Sequence, residues 1–224
     1  MTFSRTASRE NLTYLRRRPK VGETPPAPKA EPAAPSILSL SRPSAPTGPK
    51  LPPVKRVHGR VLLTADVPTA TLDRRQSAIG SLTFEIAGPG GVAAIWELQD
   101  GSAGVVDDAD NVRISPEFGR RPIVEFTQGR IIVGLRHVRE LRRLVILMRG
   151  FRGNDAQRLL ATLHDDSTFE TSHTGVGPYV AALAIYNVDG ELVIRREGAG
   201  FDSSETIADA YGFTLTWLPP VVRS

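Results

Sequence analysis

Residues 179–196 read Tyr179-Val180-Ala181-Ala182-Leu183-Ala184-Ile185-Tyr186-Asn187-Val188-Asp189-Gly190-Glu191-Leu192-Val193-Ile194-Arg195-Arg196, two apolar runs joined by Asp-Gly. That dipeptide tolerates positive φ at a tight turn whose twist matches the strands it joins, so a hairpin of strands 179–188 and 191–196 is expected. The same texture extends upstream. Ser81-Leu82-Thr83-Phe84-Glu85-Ile86 alternates with period two, placing Leu82, Phe84 and Ile86 on one face. Gly88-Pro89-Gly90-Gly91 makes a turn before a strand at 92–98, and Asp100-Gly101 a turn before 104–106. Further strands are expected at 59–64, 122–126, 130–135, 144–148 and 212–218. Helical spacing is confined to 154–165, where Ala156, Leu159, Leu160 and Leu163 recur, with weaker hints at 138–143 and 205–211. Many short strands with closely spaced turns imply one all-β domain over 57–224, a β-sandwich of mainly antiparallel strands with one or two short helices.

Residues 1–56 have a different composition. Eleven of the eighteen prolines fall in the first sixty residues, in runs such as Pro49-Lys50-Leu51-Pro52-Pro53. Proline lacks the amide donor and restricts the residue before it, and few apolar groups offset the ordering entropy, so a disordered, semi-extended arm is expected. Residues 1–60 carry twelve basic and three acidic side chains, a net +9, against sixteen and twenty-one in 61–224, a net −5. Arg16, Arg17, Arg18 and Lys20, with Lys55 and Arg56 at the arm's end, are the expected partner-binding cations. They suit an acidic protein surface, with nucleic acid or an anionic membrane as alternatives. Phe3 and Tyr14 are the arm's only aromatics, too few for a base-stacking platform. Residues 1–20 lack the apolar core of a secretory signal, and no apolar run reaches the roughly 18 to 20 residues of a membrane span. Cytoplasmic residence is expected, at the membrane periphery if the arm binds lipid.

No cysteine is present, which excludes disulfides, thiolate metal sites and cysteine nucleophiles. A phosphate loop of the form GxxxxGK[ST] is absent, and the domain has no lysine to complete one. His58, His137, His164 and His173 fit no zinc-hydrolase or finger spacing. His164 beside Asp165-Asp166 is a conceivable oriented base but is read as a surface turn with solvated charges, and Ser172, His173 and Asp202, a conceivable triad, stay unassigned because sequence distance does not test geometry. Asp107-Asp108-Ala109-Asp110-Asn111 gathers hard oxygen donors, yet Val112, Arg113 and Gly119 fall where an EF-hand needs a ligand, a glycine and a glutamate, so an acidic turn is expected. Arg142-Arg143 and Arg195-Arg196 are read as solvated strand ends. No catalytic residue and no cofactor are assigned.

The order of these elements resembles the tellurite-resistance TerD family of bacterial stress proteins over roughly 82–217. The similarity is clearest in Gln128-Gly129-Arg130-Ile131-Ile132-Val133-Gly134-Leu135 with 141–147, and in 179–187 with Gly190-Glu191-Leu192, Ser204-Glu205-Thr206 and Trp217. The resemblance implies a calcium-binding β-sandwich, with calcium as the family ligand. Where the family carries an aspartate pair, however, this chain reads Ile95-Trp96-Glu97-Leu98. Its acidic glycine-rich loop is replaced by Ser115-Pro116-Glu117-Phe118-Gly119-Arg120-Arg121-Pro122, and its Gly-Trp-Asp signature has no counterpart near Ser81. The expectation is a divergent, non-enzymatic interaction protein with its calcium sites lost.

Overall fold

The computed structural model describes residues 54–108, 112–119, 121–151, 156–175 and 177–217. Among them, the strands in chain order are β1 (Lys55–Arg56), β2 (Arg60–Leu63), β3 (Thr69–Thr71), β4 (Ser81–Ala87), β5 (Gly91–Leu98), β6 (Ala103–Val106), β7 (Glu117–Phe118), β8 (Arg121–Pro122) and β9 (Val124–Thr127). Then come β10 (Arg130–Gly134), β11 (Leu141–Arg149), β12 (Gln157–Thr162), β13 (Thr168–His173), β14 (Tyr179–Val188), β15 (Glu191–Arg196), β16 (Gly200–Phe201) and the helix α1 (Ser204–Ala210). One sheet runs β1-β3-β15-β14-β11-β5-β6, with β16 beside β14, and the other runs β2-β13-β12-β4-β10-β9. Pairing is antiparallel except at β1/β3 and β2/β13.

The expected hairpin forms with the expected bounds, Val188 opposite Glu191, and Asp189 and Gly190 take φ of 51° and 84°. The sheets face each other across a core in which Leu82 and Phe84 of β4, Phe169 of β13, Trp96 of β5 and Ile146 of β11 are all but fully buried. Phe84 and Phe169 meet edge to face at 6.2 Å, and burying each such side chain stabilises by about 1.5–3 kcal/mol.

A second apolar layer explains why β5, β11 and β14 read as continuous apolar runs. Ala93, Ile95, Val145, Leu147, Ala181 and Ala184 point away from the inter-sheet core and pack under Ile207, Ala208 and Phe213, from α1 and the segment after it. Strands covered on both faces lose the polar half of their alternation. The helix begins with a capping box, Ser203 Oγ accepting from Thr206 N while Thr206 Oγ1 accepts from Ser203 N.

Three expectations are corrected. The described part of 154–165 does not hold a helix: residues 157–162 form β12, whose Gln157, Leu159 and Ala161 face inward between β13 and β4. The helical spacing of Ala156, Leu159, Leu160 and Leu163 was coincidental, because two neighbouring strands offered a ladder that local propensity does not encode. Residues 138–143 contain no helix either: a single 3-10 turn, Leu135–His137, leads through a turn into β11. Finally, the described part of 212–218 is not a strand. There only Thr216 N and Trp217 N donate to the sheet, both to Ala103 O, as the tail rounds edge strand β6 and sets Trp217 edge to face on Trp96 at 5.5 Å.

Candidate functional site

The short β7–β8 hairpin stands over the outer face of the smaller sheet and encloses a groove of about 530 Å³. Phe118, Arg121 and Pro122 form the hairpin wall. Ser81, Glu125 and Ile132 come from β4, β9 and β10, and Arg136 and His137 from the 3-10 turn that ends β10. Backbone bonds tie these parts together. Gly134 N donates to Ile123 O at 2.7 Å, Leu135 N to Gly80 O at 3.2 Å, and Phe126 N to Arg113 O at 2.7 Å. The Phe118 and His137 rings meet at 6.0 Å. Arg121 and Arg136 are exposed and, among the described residues, have no ion-pair partner.

Two buried ionic clusters lie elsewhere. Glu97, 6% exposed on β5, accepts from Arg142 Nη1 at 2.6 Å and from Arg143 Nε. Arg143 also donates to the carbonyls of Tyr211 and Gly212 at 2.7 and 2.6 Å and lies 4.1 Å over the Phe213 ring. It therefore fastens the segment after α1 to the sheet. At the opposite end of the same strands, fully buried Asp107 meets Arg149 Nη2 at 3.2 Å and Tyr179 Oη at 3.2 Å. Gly91 lets the Arg149 guanidinium lie close over the backbone of β5, since a Cβ there would stand 2.7 Å from Arg149 Nη2 and push the side chain aside.

The residues singled out in the sequence are dispersed. Arg16, Arg17, Arg18 and Lys20 lie outside the described residues. Lys55 and Arg56 form β1, both exposed, at the edge of the larger sheet. Neighbours on a strand point to opposite faces, so Ser172 is exposed while His173 is buried, and the two do not form a dyad. Asp165 accepts from Gln76 Nε2 at 3.0 Å and from Ser167 N, which holds its carboxyl below the ordinary value; His164 beside it is exposed and packs on Gly80. In the acidic run, Asp107 N and Val112 N exchange bonds with each other's carbonyls, and 109–111 lie outside the described residues.

In each arginine pair the first member, Arg142 or Arg195, is exposed as expected, while the second, Arg143 or Arg196, is drawn into the fold. Arg196 Nε donates to Thr171 Oγ1 at 3.1 Å and Arg196 Nη2 to Ser172 O at 3.0 Å, joining the two sheets. Thr171 Oγ1 in turn meets His173 Nε2 at 3.2 Å. Burial, and secondarily the Arg196 charge, push the His173 imidazole down to about 4. Sequence reading missed the groove and the Asp107–Arg149 pair. The available signals were the paired prolines and arginines of 115–122 and an arginine closing an apolar strand.

These features define an all-β sandwich with a cationic, aromatic-walled surface groove. No model of a known protein family matches the chain, and no curated protein matches it. Among the described residues, no group of three His, Asp or Glu side chains is arranged to hold a metal ion, and no helix is long and apolar enough to cross a membrane.

Proposed function

We propose that the chain is a non-enzymatic, TerD-like interaction protein of a bacterial stress response, whose basic arm tethers a partner protein and whose calcium sites have been lost. The observation that carries this reading is the closure of Glu97. The segment Ile95-Trp96-Glu97-Leu98 stands where the resemblance places an aspartate pair, and its one carboxylate is taken up by two guanidiniums while Ile95 is buried in apolar packing. A carboxylate already bonded to Arg142 and Arg143 has no net charge left to attract a divalent cation. The loop at 115–122, where the family's ligand loop would fall, brings Arg121 toward the groove.

The tether reading rests on the +9 charge of residues 1–60 against −5 for residues 61–224. Residence is cytoplasmic in this reading. Calorimetric titration of the full chain with calcium is expected to show no binding, and micromolar affinity would overturn the loss of the sites. Crosslinking pull-down is expected to recover a partner protein with the natural chain and not with R16A/R17A/R18A/K20A. Equal recovery would overturn the tether. The same arm charge favours one second reading, association with nucleic acid or an anionic membrane. DNA or liposome binding that weakens steeply with salt and is lost in that variant would put it first.

A further inference from the structure

We propose that the groove beneath the β7–β8 hairpin binds a small phosphorylated molecule carrying a planar ring, a nucleoside monophosphate being its simplest form. Arg121 enters from the hairpin and Arg136 from the 3-10 turn, so two guanidiniums without ion-pair partners among the described residues line one cavity. Like charges held this way are relieved by an anion between them, and a phosphate offers each planar fork two acceptor oxygens.

The rest of the lining suits the remainder of such a molecule. Phe118, Pro122 and Ile132 are half-buried and supply an apolar wall and floor, and Phe118 and His137 lie tilted at 36° to each other, with ring edges and faces for a planar group to pack on. Glu125 is the carboxylate of the lining and is bonded to neither arginine. It would repel a bare anion but accepts hydrogen bonds from sugar hydroxyls or a ring amine, so the site favours an organic phosphate over the inorganic ion. The volume of about 530 Å³ lies in the usual range for small-molecule sites. The bonds from Gly134 to Ile123 and from Leu135 to Gly80 hold the hairpin and the turn in place before anything binds.

The site depends on neither the arm nor calcium, so its failure leaves the tether reading standing. The full chain is titrated by calorimetry with adenosine and guanosine monophosphate, adenosine and inorganic phosphate, while amide resonances are followed by NMR. At least one nucleotide is expected to bind saturably, shifting Ile132, Gly134 and His137, and R121A/R136A to bind it about tenfold or more weakly with an unchanged unfolding temperature. Binding that survives R121A/R136A lies outside these two arginines and overturns the proposal. Equal affinity for inorganic phosphate overturns the organic ligand, and absence of saturable binding overturns the site.

Discussion

Lowering the pH from 7 to 4 is expected to cost the folded domain about 3 kcal/mol through one side chain, His173. Its ring is 2% exposed at the end of β13, with Nδ1 lacking a hydrogen-bond partner. Arg196 donates to Thr171 Oγ1, which leaves the hydroxyl proton for His173 Nε2, an arrangement that suits a neutral imidazole. Burial first, and the Arg196 charge second, lower its pKa from 6.5 to about 4. Between those values the unfolded chain holds a proton that the folded chain does not. Stability therefore rises with pH across the window, is full above 6.5, and is lost as the pH falls toward 4. At 1.36 kcal/mol per pH unit the window amounts to about 3 kcal/mol, a large share of the 5–15 kcal/mol typical of a domain. Asp100, Asp165 and Glu205 are also held below their ordinary values, by bonds led by Ser102, Gln76 and Ser203 respectively. They act at the acid end of the range and are shared by any His173 variant. Urea unfolding followed by Trp96 and Trp217 fluorescence, run from pH 7 to 4, is to be compared between the natural chain and His173→Gln. The natural chain should lose about 3 kcal/mol more than the variant, whatever the variant's baseline. Parallel profiles would refute the reasoning, as would a folded-state NMR titration of His173 centred near 6.5.

Glu97→Gln should destabilise by about 2–3 kcal/mol in denaturant unfolding, because it leaves the partly buried Arg143 without its counter-charge; Arg142, largely exposed, is rehydrated at little cost. Gly104→Ala should cost about 1–3 kcal/mol by overpacking, since its Cβ would stand 2.7 Å from Trp96 Cζ2 and 3.3 Å from Trp217, and differential scanning calorimetry reads the drop. Ser203→Ala removes the cap of α1 and should cost about 1 kcal/mol; hydrogen exchange should show the loss as weaker protection of the amides of 206–211.

Local rules were enough wherever the deciding chemistry lay within a few residues. The Asp189-Gly190 turn and the alternation of Leu82, Phe84 and Ile86 were legible because dipeptide geometry and period two are short-range; of α1 the spacing of 205–211 gave a hint, and its Ser203 cap went unread. The strand β12 was not legible. Its Leu159 and Leu163 fit either period while Leu160 fits only the helical one, so local pattern favoured a helix and the ladders of β4 and β13 overruled it.

The sequence by itself determined an all-β domain, the hairpin that anchors it and the charge contrast between its two ends. The tertiary structure alone decided which ionic groups meet. Glu97 lies 45 residues from Arg142, and Thr171 25 residues from Arg196. Arg121 and Arg136 share a groove only because a hairpin and a turn are pinned to the same strand. Charge and hydrogen bonding act over a few ångströms of space, and chain separation carries no record of that distance until the sheets have packed.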